Sequence, residues 1–101
     1  MDVIEINENE FNAKIIENSK VVVDCFAVWC GPCRMLSPII DELASEYSDY
    51  KFYKLNVDNA SEVCKKYGIM SIPTLLFFEN GELREKTVGF KSKDELEKLL
   101  K

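Results

Sequence analysis

Residues Val21 to Val28 form a nearly unbroken apolar run, VVVDCFAV, that stops at Trp29-Cys30-Gly31-Pro32-Cys33. A strand with one wet face alternates between apolar and polar residues. A run without alternation reads as a strand covered on both faces. From Pro32 the period changes. Met35, Leu36, Ile39, Ile40, Leu43 and Tyr47 recur at helical spacing and describe an amphipathic helix. Pro38 lies inside it, removes one intrahelical hydrogen bond, and predicts a kink.

The rest of the chain alternates in the same way. Val3 to Ile6 reads as a short strand. Phe11, Ile15 and Ile16 give residues 8 to 18 a helical face. Tyr50 to Val57 alternates as a strand. Asn59 and Glu62 resemble a capping box for a short helix that Gly68 ends. Thr74 to Phe78 is another apolar strand. Asn80-Gly81 signals a tight hairpin into a strand at Leu83 to Val88. Ser92 and Glu95 make a second capping box, ahead of a helix with Leu96, Leu99 and Leu100 on one face. The order βαβαβαββα mixes parallel crossovers with a final antiparallel hairpin. It predicts an α/β chain with a central mixed sheet and helices on both faces. The 101 residues suit one domain, 1–101.

Cys30 and Cys33 fall where strand gives way to helix. Across a first helical turn, side chains at i and i+3 lie on one face. Two sulfurs there can close a small ring or stay open as a dithiol. Cys30 stands at or just before the first helical position, where unpaired N–H groups and the positive end of the helix dipole favour an anion. A thiolate is such an anion, so Cys30 is expected to have a lowered pKa and to attack. Cys33, one turn inside, is expected to be more buried and to act as the resolving thiol. Gly31 keeps the approach to Cys30 open, Pro32 suits an early helical position, and Trp29 offers a flat apolar surface.

Asp24 sits within the apolar strand. A buried carboxylate is costly unless paired or protonated, so its pKa is expected to be raised. That makes it a candidate general acid/base for Cys33, with Lys54 on the neighbouring strand as its charge partner.

Other uses of the cysteines must be weighed. Cys25, Cys30, Cys33 and Cys64 reproduce a ferredoxin-type ligand spacing, and a four-cysteine zinc site is the related alternative. Against both, Cys25 lies in a strand that fixes the face of each side chain, whereas a metal needs ligands wrapped around it. No metal is expected. Cys25 reads as a small buried hydrophobe and Cys64 as a partly buried, inert thiol. The chain has no histidine, which excludes histidine bases and mixed Cys/His zinc sites. Net charge is −5, which argues against nucleic-acid and anionic-membrane surfaces. MDVIEINENE is acidic without an apolar core, unlike a secretory signal, so the expected location is the cytoplasm.

These residues also carry a resemblance. VVVDCFAVWCGPCRMLSPIIDELASEY, KLNVD, YGIMSIPTLLFFENGE and VGF, in that order, resemble thioredoxin over essentially the whole chain. The resemblance implies the thioredoxin fold, with a four- to five-stranded sheet and four flanking helices. It implies a cis Ile72–Pro73 bond facing the dithiol. Trp29, Gly31, Pro32, Ile72, Pro73, Gly89 and Phe90 would form a shallow docking surface for an extended substrate segment. The implied activity is protein-disulfide reduction, with disulfide-containing protein substrates and a thioredoxin reductase-type electron donor. No bound cofactor is implied beyond the Cys30–Cys33 redox pair, and the protein is expected to be a monomer. A thioredoxin-fold oxidase or isomerase, and a non-enzymatic binding subunit, are the alternatives. The sequence departs from the family pattern at Phe26, where a second tryptophan is usual, at Val28, and in the extra Cys25 and Cys64.

Overall fold

The computed structural model describes residues 2–101. The chain runs through β1 (Val3–Ile6), α1 (Glu8–Glu17), β2 (Lys20–Phe26), α2 (Gly31–Glu46), β3 (Lys51–Asn56), a 3-10 turn (Val57–Asn59), α3 (Ser61–Lys66), β4 (Thr74–Glu79), β5 (Glu82–Val88) and α4 (Lys93–Leu100). The strands form one sheet in the order β1-β3-β2-β4-β5. The middle strand, β2, pairs parallel with β3 and antiparallel with β4. That position accounts for its composition: Val21 to Cys25 are buried without interruption. The apolar run outlasts the strand, because Val28 already lies in the following loop and is exposed. β1 extends the sheet parallel to β3, and β5 closes it antiparallel to β4. The β4–β5 turn places Asn80 at φ 53° and Gly81 at φ 83°, the left-handed pair that a two-residue hairpin needs.

Two apolar layers flank the sheet. Val22, Phe52, Leu75 and Phe77 meet Leu36, Ile40 and Leu43 of α2 and Leu96 of α4. On the other face Val21, Val23, Cys25, Leu55, Leu76 and Phe78 meet Phe11 and Ile15 of α1 and Val63 of α3. Alternation along β2 therefore sends Val22 and Asp24 towards α2, and Val23 and Cys25 towards α1 and α3. Ile16 and Met35, expected on buried faces, are exposed. The helices bury narrower stripes than the periodicity suggests.

α1 and α4 begin with the capping boxes Asn7/Glu10 and Ser92/Glu95. α3 does not begin at the Asn59/Glu62 box expected for it. Its N-cap is Ala60, which offers no side-chain acceptor. Glu8 supplies one from a distance: its Oε2 accepts the Val63 N–H at 2.8 Å. α2 runs through Pro38 as one helix. It is joined to α4 by Lys93, which meets Glu42 at 2.7 Å and Glu46 at 2.9 Å. Among the described residues, no helix is long and apolar enough to cross a membrane.

Candidate active site

Cys30 is the N-cap of α2, with extended backbone (φ −88°, ψ 114°), and Pro32 follows within the first helical turn. The Cys33 N–H donates to Cys30 Sγ at 3.2 Å. An N-cap side chain normally satisfies one of the orphan N–H groups with oxygen, and here sulfur does so. No acidic residue occupies the first turn of α2, so no carboxylate competes for the positive end of the helix dipole. Cys30 and Cys33 are joined as a disulfide, with their Cα atoms 5.3 Å apart.

The expected difference in burial between the two sulfurs is not seen. Cys30 is 5 % exposed and Cys33 4 %. Cys30 is covered because Ile72 packs against it together with Ala27 and Cys33, and the Ile72 carbonyl oxygen lies 3.9 Å from Cys30 Sγ. What separates the two cysteines is their place on the helix. Cys30 receives the N–H bond at the helix start, and Cys33 lies inside the first turn.

The Ile72–Pro73 bond is cis. The Pro73 carbonyl accepts the Gly89 N–H at 2.8 Å, so the loop after β5 is tied to the loop before β4. Gly89 has φ 89°, which favours glycine there over any side chain. Cys30, Ile72, Pro73 and Gly89 thus come together from three separate segments. Pro32, Trp29 and Phe90 are exposed. Trp29 is 65 % exposed, and its indole Nε1–H donates to Asp58 Oδ2 at 2.9 Å. The preceding carbonyl, that of Val28, accepts from Arg34 Nη1 at 2.7 Å.

Asp24 is 5 % exposed, and its Oδ1 has no hydrogen-bond partner among the described residues. Burial raises its pKa from 3.8 to about 7; the Lys54 charge opposes the rise and Asp41 adds to it. Lys54 stands opposite Asp24 in the β2–β3 register and acts on it through its charge, without an ion-pair contact. Among the described residues it forms no ion pair, and its Nζ lies 5.6 Å from the Phe26 ring centroid. A shallow cleft lined by Phe26, Val28, Cys33, Arg34 and Lys54 opens this side of the site to solvent.

Cys25 faces the other layer of the sheet, where burial, followed by Asp24 and Cys64, pushes its pKa up. Cys64 is partly buried on α3 and its pKa is also raised, by burial and then by Glu8. Among the described residues, no group of three or more His, Cys, Asp or Glu side chains is arranged to hold a metal ion.

Asp58 and Arg34, which hold the segment before Cys30 by hydrogen bonds, are residues that the sequence does not single out. Asn56-Val57-Asp58 does carry a local turn signal, since Asn56 Oδ1 accepts the Asp58 N–H at 3.0 Å. Nothing in the sequence says that this turn reaches Trp29.

Comparison with known proteins agrees with this geometry. A family model described as thioredoxin matches residues 2–101. The chain is 46% identical to a thioredoxin of Mycoplasmoides gallisepticum, over 94% of this chain and 95% of that one. It is 50% identical to a chloroplastic M-type thioredoxin of Pisum sativum, over 83% of this chain but only 50% of the pea protein. Among solved structures, a mutant thioredoxin from Halobacterium salinarum superposes with a TM-score of 0.91 at 34% identity, covering 98% of this chain and 88% of that one.

Proposed function

The chain belongs to the thioredoxin family and is a thiol–disulfide oxidoreductase of the protein-disulfide reductase type, and we propose that Cys30 is its attacking sulfur and Cys33 its resolving one. The observation that carries this assignment is the Cys33 N–H directed at Cys30 Sγ from the start of α2. In the reduced protein the same bond and the helix dipole stabilise a thiolate at Cys30 and not at Cys33.

The exchange then has two displacements. The Cys30 thiolate attacks one sulfur of a substrate disulfide, a mixed disulfide forms, and the other substrate sulfur leaves as a thiolate. Cys33 gives its proton to the Asp24 carboxylate and attacks Cys30 Sγ. The second substrate thiolate leaves, and the Cys30–Cys33 bond closes. Two electrons have passed to the substrate. A carboxyl titrating at about 7 is suited to moving that proton near neutral pH. Lys54 keeps the Asp24 pKa from rising further.

Family membership implies substrates that carry disulfides and a reductase that returns the electrons. The finer reading is our own. Trp29, Gly31, Pro32, Ile72, Pro73, Gly89 and Phe90 form the docking surface, and the Ile72 backbone pairs with an extended substrate segment. The redox pair works without a bound cofactor, the protein acts as a monomer in the cytoplasm, and nucleic acid is not a partner.

Reduction of insulin disulfides, with the potential of the dithiol measured against glutathione, tests the activity. The expected result is turnover and a potential well below that of the glutathione pool. A strongly oxidising potential would move the reading to an oxidase or isomerase. Cys33→Ser is expected to accumulate a mixed disulfide with the substrate, and Cys30→Ser to form none; both lose turnover to background. An adduct trapped on Cys33 in the Cys30→Ser protein would reverse the assignment.

A further inference from the structure

Trp29 is the chain's single tryptophan, stands on the rim of the dithiol, and is 65 % exposed. A free surface indole samples several rotamers, and fixing it when a partner binds costs about 0.5–1.5 kcal/mol. Here the ring is already held. Its Nε1–H donates to Asp58 Oδ2 at 2.9 Å. Asp58 is itself seated, because Asn56 Oδ1 accepts its backbone N–H at 3.0 Å in the turn that leaves β3. The backbone is held from the other side by Arg34, whose Nη1 donates to the Val28 carbonyl at 2.7 Å. Ring and backbone are thus anchored to different elements, and Asp58 is an exposed residue with no other side-chain hydrogen bond among the described residues.

We propose that Asp58 is a positioning residue that pre-sets the Trp29 indole as a fixed wall of the docking surface, and that this favours extended protein disulfides over small soluble ones. The inference rests on the reductase reading above. A protein segment lying along Ile72 meets the indole wall as it docks. A small disulfide needs only to reach Cys30 and gains nothing from the wall.

Asp58→Ala and Asp58→Asn test this with two substrates, insulin and 5,5′-dithiobis(2-nitrobenzoate), and with the anisotropy of the single tryptophan. Asp58→Ala is expected to lower the anisotropy of Trp29. It raises KM for insulin about threefold to tenfold, the range that one lost hydrogen bond spans, while kcat changes by less than about twofold. Reduction of the small disulfide is unchanged. Asp58→Asn keeps an acceptor oxygen and is expected to restore the wild-type anisotropy and KM. An unchanged anisotropy in Asp58→Ala overturns the hold. A lowered anisotropy with an unchanged insulin KM, or with equal losses on both substrates, overturns its role in docking. Asp58→Asn behaving like Asp58→Ala would overturn the hydrogen bond as the cause. A wild-type protein that reduces neither disulfide would overturn the reductase reading instead, and that is distinguishable because the anisotropy is measured without substrate.

Discussion

Asp24 sits in the middle strand of the sheet with a carboxyl that titrates at about 7 and not at its ordinary 3.8. An offset of that size corresponds to roughly 4 kcal/mol between the protonation states. Below about pH 4 the carboxyl is neutral in both the folded and the unfolded chain, and it costs nothing by ionising. Between about pH 4 and about pH 7 the unfolded chain ionises first, so stability falls as pH rises. Above about pH 7 the loss is complete. Asp24→Asn is therefore expected to stabilise the protein at pH 8 by up to roughly 4 kcal/mol, and far less at pH 3.5. Urea unfolding at the two pH values measures this, and an equal effect at both would rule out the buried ionisation. The residue's oddity is legible, because a carboxylate inside an apolar run stands out in any sequence. Asp58 is not legible. Its worth depends on a contact with Trp29 across 29 positions of the chain, and an exposed aspartate in a turn looks like any other.

At the level of elements, the start of α2 and the start of α3 differ in where their caps come from. α2 caps itself with Cys30, so the helix boundary and the reactive sulfur are one local feature. Local features are readable, and the Asn7/Glu10 and Ser92/Glu95 boxes belong to the same class. α3 takes its acceptor from Glu8 on α1, 55 positions away, which no local pattern could reveal. Glu8→Ala is expected to destabilise the protein by about 1 kcal/mol and to speed amide exchange at Val63. Glu8→Gln keeps an acceptor oxygen and is expected to lose less. Unchanged exchange at Val63 in the alanine variant would show that the long-range cap is not used. Periodicity overstates the width of the helical faces for a related reason. It places Ile16 and Met35 beside buried neighbours, but the sheet covers only the centre of each stripe, and both remain in solvent.

Across the whole molecule the sheet sorts the cysteines. Asp24 and Cys25 are neighbours in sequence, yet they face opposite layers, Asp24 towards α2 and Cys25 towards α1 and α3. The reduced protein is expected to react with iodoacetamide at Cys30 first and at Cys64 more slowly. Cys25, buried and with its thiol pKa pushed up, is expected to react only after unfolding. Peptide mass analysis after brief alkylation checks the order, and labelling of Cys25 in the folded protein would overturn its burial in the layer under α1 and α3. The sequence by itself determined the order of elements, the break from strand to helix at Cys30, and the anomaly at Asp24. Each of these is set by neighbours along the chain: periodicity, caps and turn residues. Only the tertiary structure decided that Ile72 covers Cys30, that Gly89 is tied to Pro73, that Lys54 acts on Asp24 without touching it, and that Asp58 holds Trp29. Those contacts join residues from different strands and loops, and they exist because sheet pairing places the ends of β2, β3, β4 and β5 side by side.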